Sequence, residues 1–234
     1  MARLRAITPT IALLATGLGS ISAADTPARL VVGENSIEEE LRLPALLKPG
    51  RYSIGCHTEI TASGRSLHAA CYEMPDSPPS HMTDAVLEAT RRARFEPATR
   101  AGIAAPVVVS YGVLIDTTLG EPLVLAVPND FAERDRFGLL YTSPQRLVKA
   151  GQQTGLPPWE VRPRSPLWLK MRIDEDGKVT GYVLDDAGRA STRGIDKVRS
   201  RIERMRFIPG YHEDRPVAML YTEPSYSLEL GDPW

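Results

Sequence analysis

Apolar and polar positions alternate along Tyr52 to Ile60 and again along Ser66 to Met74, with Ser63-Gly64-Arg65 between the two runs. Two alternating runs around a short glycine turn predict a β-hairpin. A two-residue turn at Ser63-Gly64 pairs Cys56 with Cys71, Thr58 with Ala69 and Ile60 with Leu67. That register leaves His57, Glu59, His68 and Tyr72 on the opposite, polar face, which is expected to be solvated. After a loop with three prolines (Pro75 to Ser80) the period changes, and Val86, Ala89 and Ala93 share one face of a helix capped by Thr83 or Asp84. The helix closes on Arg94-Phe95-Glu96-Pro97, because proline removes a backbone donor and clashes with the preceding turn. A loop to Pro106 then leads into Val107 to Ile115, the most apolar strand run of the chain.

The same order returns. Leu167, Leu169, Met171 and Ile173 alternate with Trp168, Lys170, Arg172 and Asp174, as in a half-buried strand. Glu175-Asp176-Gly177-Lys178 turns the chain, and the uneven spacing of Val179, Tyr182 and Leu184 predicts a bulge near Gly181. Ile195, Val198, Ile202 and Met205 fall at helical spacing, and that run closes on Arg204-Met205-Arg206-Phe207-Ile208-Pro209, 112 positions after Arg92-Ala93-Arg94-Phe95-Glu96-Pro97. The repeat signature is thus Arg94, Phe95 and Pro97 in one copy and Arg206, Phe207 and Pro209 in the other. Val217 to Tyr221 and Tyr226 to Leu230 read as a closing strand interrupted by Pro224.

The expected fold class is α+β: two small antiparallel-sheet units of ββαβ type, each with one helix packed on its sheet, at residues 51–116 and 161–234. Residues 25–50 form a lead-in, with a short helix between Ile37 and Leu47 capped by Asn35 or Ser36 and interrupted at Pro44. Residues 117–160 form a connector packed on both units, with a strand at Leu123 to Val127 and a helical turn at Pro144 to Ala150.

Charge narrows the function classes. The 28 basic and 29 acidic residues create no field that would draw nucleic acid, so none is expected as a partner. Residues 1–24 read as a cleavable signal peptide, with Arg3 and Arg5, the apolar run Ile11 to Leu18, and Ser22-Ala23-Ala24 as small residues before the cut. Pro9, Thr10, Thr16, Gly17 and Gly19 leave that run too short and too polar for a stable membrane anchor. Without Arg3 and Arg5 the remaining chain holds 26 basic and 29 acidic residues, a net charge of −3. Export suits a disulfide, and the hairpin register places Cys56 opposite Cys71.

The second unit's Ile173-Asp174-Glu175-Asp176-Gly177-Lys178-Val179, followed by a helix ending in Arg206-Phe207-Ile208-Pro209 and a closing strand, resembles the C-terminal domain of TonB-type energy transducers. The likeness spans roughly residues 161–230. Residues 51–116 resemble the family more weakly, with Ser63-Gly64-Arg65 as the turn and Ser66 in the valine's place. The resemblance implies a small antiparallel sheet carrying a helix, a periplasmic location in a Gram-negative envelope, and binding of an extended partner segment by β-augmentation. It also connects the chain with TonB-type envelope transport. The chain has neither an anchor nor a long Pro-rich spacer, so a complete energy transducer is not expected.

Residues 25–234 contain no G-x-S-x-G, H-E-x-x-H, Walker or dinucleotide-binding sequence. No catalytic residue, metal ligand or cofactor is assigned. The expected activity is non-enzymatic binding of a protein or peptide strand, or of a second copy of the chain, with Val107, Val109, Tyr111 and Val113 as the strand-pairing edge. Two alternatives stand beside it: a periplasmic metal-binding protein or enzyme using His57, His68 and Glu59, and an envelope structural protein. The arginines of the two helices (Arg91, Arg92 and Arg94; Arg199, Arg201, Arg204 and Arg206) are expected in solvent or paired with acids such as Glu88 and Glu203.

Overall fold

The computed structural model describes residues 25–45, 47–75, 77, 82–118, 120–148, 167–185, 196 and 199–225. The signal-peptide reading, the break at Gly155 to Pro158, the helical positions Ile195 and Val198 and the strand expected at Tyr226 to Leu230 all lie outside them.

The chain is α+β, built mostly of antiparallel sheets with few helices. β1 (Arg29–Leu30) and α1 (Ile37–Glu40) precede the hairpin β2 (Arg51–Ile60) and β3 (Ser66–Glu73). Then come α2 (Met82–Arg92), β4 (Phe95–Glu96), a small hairpin of β5 (Ala98–Arg100) and β6 (Ile103–Ala105), and β7 (Val107–Asp116). β8 (Leu123–Val127) and the single turn α3 (Arg134–Phe137) follow. β9 (Tyr141–Thr142) and β10 (Gln145–Leu147) lead to the hairpin β11 (Leu167–Ile173) and β12 (Val179–Asp185). Residues 199–202 are helical, and β13 (Phe207–Ile208), β14 (Gly210–His212), β15 (Arg215–Val217) and β16 (Met219–Ser225) complete the described chain.

The expected hairpin register holds from Ile54 to Thr58, with Cys56 opposite Cys71 and the two joined by a disulfide. It then slips by one, so that Ile60 faces Ser66 rather than Leu67. β11 and β12 slip at the corresponding place, between Arg172 and Ile173, which is the bulge expected near Gly181. The two copies also share strand order: β3-β2-β7 in one and β12-β11-β16 in the other. Ile60 faces Val107 just as Ile173 faces Met219.

The repeated Phe has a structural reason. Phe95 donates its backbone N–H to the carbonyl of Gly64 at 3.0 Å, and Phe207 donates to Gly177 at 3.1 Å. The segment leaving each helix is thereby tied to the hairpin turn of its own copy. Both rings are buried and meet a closing-strand tyrosine edge-on, Phe95 on Tyr111 and Phe207 on Tyr221. The stretch expected as a loop before Pro106 is the hairpin β5–β6, turning at Ala101 and Gly102 with φ of 49° and 77°. Glu213 and Asp214 turn β14–β15 the same way, at 51° and 60°. Positive φ at both central residues is the tight hairpin turn that matches strand twist.

One apolar core lies between α2 and the face of β2 and β7 carrying Ile54, Cys56, Val109, Tyr111 and Val113. A second joins Leu169, Met171 and Ile173 to Ile202, Met205, Phe207 and Tyr221. The alternation read from β11 therefore names the buried face correctly.

Several local readings need correction. α1 is a single turn, with the Ser36 hydroxyl accepting the Glu39 N–H, and it stops before Pro44 blocks it. α2 already includes Met82, so Thr83 and Asp84 lie inside the helix and do not cap it. Pro144 to Leu147 is extended, because Gln145 and Arg146 pair with Ile208 and Phe207 while Arg146 and Leu147 pair with Val108 and Val107. β16 runs through Pro224, which faces Trp168 without ending the strand. The connector thus supplies strands to both copies: β9 pairs with β14, β8 with β7, and β10 bridges β13 and β7.

Candidate functional site

The hairpin's polar face is only partly solvated, with His68 and Tyr72 half-buried. His57 is fully buried and Glu59 nearly so. The face is covered where the two copies meet, and the contact is largely polar. His57 Nδ1 lies 2.9 Å from the Ser110 hydroxyl and its Nε2 lies 3.4 Å from the Tyr72 hydroxyl. The Tyr72 ring meets Trp168 of β11 edge-on at 4.8 Å between centroids, so a tryptophan on the expected solvent face of β11 serves as packing between copies.

Deeper in the seam, Arg146 of β10 donates from Nε and Nη2 to the two oxygens of Glu223 on β16, at 2.6 and 2.9 Å. Both side chains are almost completely buried, 1 % and 2 % exposed. Tyr221 Oη donates to the same carboxylate at 2.8 Å, and Arg201 Nη2 at 3.1 Å. Burial alone would raise the Glu223 carboxyl, but Arg146 and Arg201 outweigh it and hold it below its ordinary range. Beside this cluster Asp130 accepts the hydroxyls of Thr222 and Ser143. Sequence reasoning missed Arg146, Asp130 and Glu223 altogether.

The seam makes stability acid-sensitive. Burial lowers the His57 pKa from its ordinary 6.5 in spite of Asp130 and Glu223, which favour its charged form; Arg146 acts with burial. A base with a lowered folded pKa is bound to a proton more in the unfolded chain, so stability is full above about 6.5 and falls as pH drops. The expected loss is at most about 1.4 kcal/mol per pH unit. Glu223, with its folded value also lowered, adds a further loss as pH falls below its ordinary 4.5. Urea midpoints measured from neutral pH downward should show both steps. His57→Gln should flatten the first and keep the second; an unchanged first step would place its origin elsewhere.

The edge expected at Val107, Val109, Tyr111 and Val113 is corrected: β7 is a central strand. β2 pairs with it along its whole length, and on the other side β10 takes Val107 and Val108 while β8 takes Gly112 to Asp116. An apolar strand of this kind is buried on both faces and both edges, which its continuous valine run already suits.

β16, the corresponding strand of the second copy, has β11 on one side. On its other side side chains bind the backbone: Glu133 Oε1 accepts the Leu220 N–H at 2.7 Å, and Arg136 Nη1 donates to the Ala218 carbonyl at 3.1 Å. β12 is the terminal strand of the same sheet among the described residues, and it exposes Thr180, Gly181, Tyr182 and Val183.

Of the repeat signature, Phe95 and Phe207 lie in the cores, while Arg94 and Arg206 are exposed and tie the lead-ins by backbone bonds, Arg94 N–H to Asn35 and Leu147 N–H to Arg206. Among the helix arginines, Arg92 pairs with Glu40 and Glu88, as the charge reading expected for that surface, whereas Arg201 turns into the seam. Among the described residues no group of three or more His, Cys, Asp or Glu is placed to hold a metal, and no helix is long and apolar enough to cross a membrane. Comparison with protein-family models, with curated proteins and with solved structures finds no match.

Proposed function

We propose that this is a non-enzymatic periplasmic protein with two TonB C-terminal-like units that takes up an extended segment of a partner protein as an added strand, in the setting of TonB-type envelope transport. The observation that supports this reading is the difference between the two closing strands. The chain fills the outer side of β7 with its own β8 and β10, whereas among the described residues side chains hold the outward Leu220 N–H of β16 and the Ala218 carbonyl just before that strand. Arg136 is half-exposed and Glu133 is 12 % exposed, and an added strand that offers backbone donors and acceptors would take their places at Leu220 and Ala218.

The Leu220 N–H points away from β11, so Leu220→Pro removes an outward donor without taking one from the ladder. Extended twelve-residue peptides selected from a random library on residues 25–234 should protect the Leu220 amide from exchange. Their affinity should fall about tenfold or more in Leu220→Pro and rise in Glu133→Ala. Peptides that bind both folded variants as they bind the parent would exclude strand addition at β16. A purely structural role is the second reading, favoured by the buried Arg146–Glu223 contact between the copies.

A further inference from the structure

We infer that the opposite edge of the same sheet, β12 together with the end of the helix beside it, is a second docking groove, and that its occupant is an extended peptide bearing an apolar residue with a carboxylate two positions away. The inference rests on the strand-addition reading but concerns a different edge. The groove has a volume of about 430 Å³, within the usual range of ligand sites. Its apolar lining is Val179 and Tyr182 from the strand, Ile202 from the end of the helix and Met205 from the segment behind it.

Three observations carry the choice of occupant. The first is the backbone: among the described residues β12 ends its sheet, and a terminal strand turns alternate N–H and C=O groups outward. Among the described residues nothing stands within 4 Å of where a Gly181 side chain would be, so another chain can come close at mid-strand. The second is apolar exposure: Tyr182, which lines the groove, is 43 % exposed, one of the few large apolar side chains open to water among the described residues. The third is charge. Lys178 and Arg206 both line the groove, against one acid, Glu203, in a chain whose residues 25–234 carry a net charge of −3.

Those cations can be engaged. Lys178 pairs with Asp176 in the open, an ion pair of the kind that contributes little. Arg206 donates from Nη1 to the Glu203 and Met205 carbonyls, and a guanidinium has five donors in all. In an added strand, residues two apart share a face and stand about 7 Å apart. One such residue can enter the apolar lining while the next places its carboxylate near Lys178 and Arg206.

The test uses residues 25–234 and two blocked, fluorescein-labelled eight-residue peptides of alternating valine and threonine. One carries glutamate two positions from a central valine, the other lysine at the same place. The glutamate peptide should bind at least tenfold tighter by anisotropy, and the double variant Lys178→Glu, Arg206→Glu should reverse that order. Exchange protection should appear at Thr180 to Val183. Equal binding of the two peptides, or a preference that survives the charge reversal, would overturn the inference. Protection confined to Leu220 would overturn it too, while leaving strand addition at β16 standing. Absence of binding by both peptides also excludes this groove, whatever peptides are selected at β16.

Discussion

Glu223→Gln should cost about 3–5 kcal/mol of folding stability, because it takes the Glu223 counter-charge away from an Arg146 that is charged and buried. For a chain of this size that corresponds to a fall in melting temperature on the order of 10 °C. The carboxylate is the point on which Arg146, Arg201 and Tyr221 converge, so the amide can answer at most part of their donors. The paired replacement Arg146→Met, Glu223→Leu should recover most of the loss, since removing both charges also removes the cost of burying them. Urea unfolding of the two variants checks both statements. A Glu223→Gln cost near that of a surface substitution would mean that water reaches Arg146 in the folded protein. Because Arg146 belongs to the strand that bridges β13 and β7, the variant should also uncouple the copies before either core melts, giving two transitions where the parent has one.

How much of this could be read from the sequence follows from what kind of signal each feature leaves. The hairpins, the α2 stripe and the buried face of β11 were legible because period two and period 3.6 mark residues that pack within one copy. The register of β2 and β3 was legible through Cys56, Cys71 and the glycine turn, up to the bulge beyond Thr58. Gln145-Arg146-Leu147 left no such mark: the strand is three residues long and mixes an amide, a charge and one leucine. What makes it a strand is its place between Phe207 and Val108, which lie far away in the chain.

The seam was illegible for a related reason. His57, Glu59 and Thr222 sit on faces that alternation marks as polar, and within a single unit a polar face belongs in water. Their burial comes from a second unit laid against the first, which a pattern read along one strand cannot reveal. Val107 to Ile115 erred in the other direction. Its unbroken apolar run is the mark of a strand enclosed on all sides, and reading it as an edge required ignoring β8 and β10, both in the segment taken for a connector.

Gly64→Ala and Gly177→Ala should each cost about 3 kcal/mol or more, far beyond the ordinary cost of alanine for glycine. Two effects add. Each glycine has a positive φ, 75° and 73°, which an L side chain adopts at a cost of about 1–2 kcal/mol. In each, a new Cβ would also stand 2.1 Å from a backbone carbonyl oxygen, that of Phe95 or Phe207. A backbone atom cannot rotate aside as a side chain can, so either the hairpin turn or the segment behind the helix must move. That movement breaks the Phe95-to-Gly64 or Phe207-to-Gly177 hydrogen bond and pulls a core phenylalanine off its tyrosine. Gly33→Ala separates the two effects, since Gly33 has a φ of 85° with nothing among the described residues within 4 Å of the added atom. It should show the backbone cost alone. If Gly64→Ala or Gly177→Ala loses no more than Gly33→Ala in urea unfolding, the turn and the repeated phenylalanine are not coupled, and the duplicated Arg-x-Phe-x-Pro sequence needs another explanation.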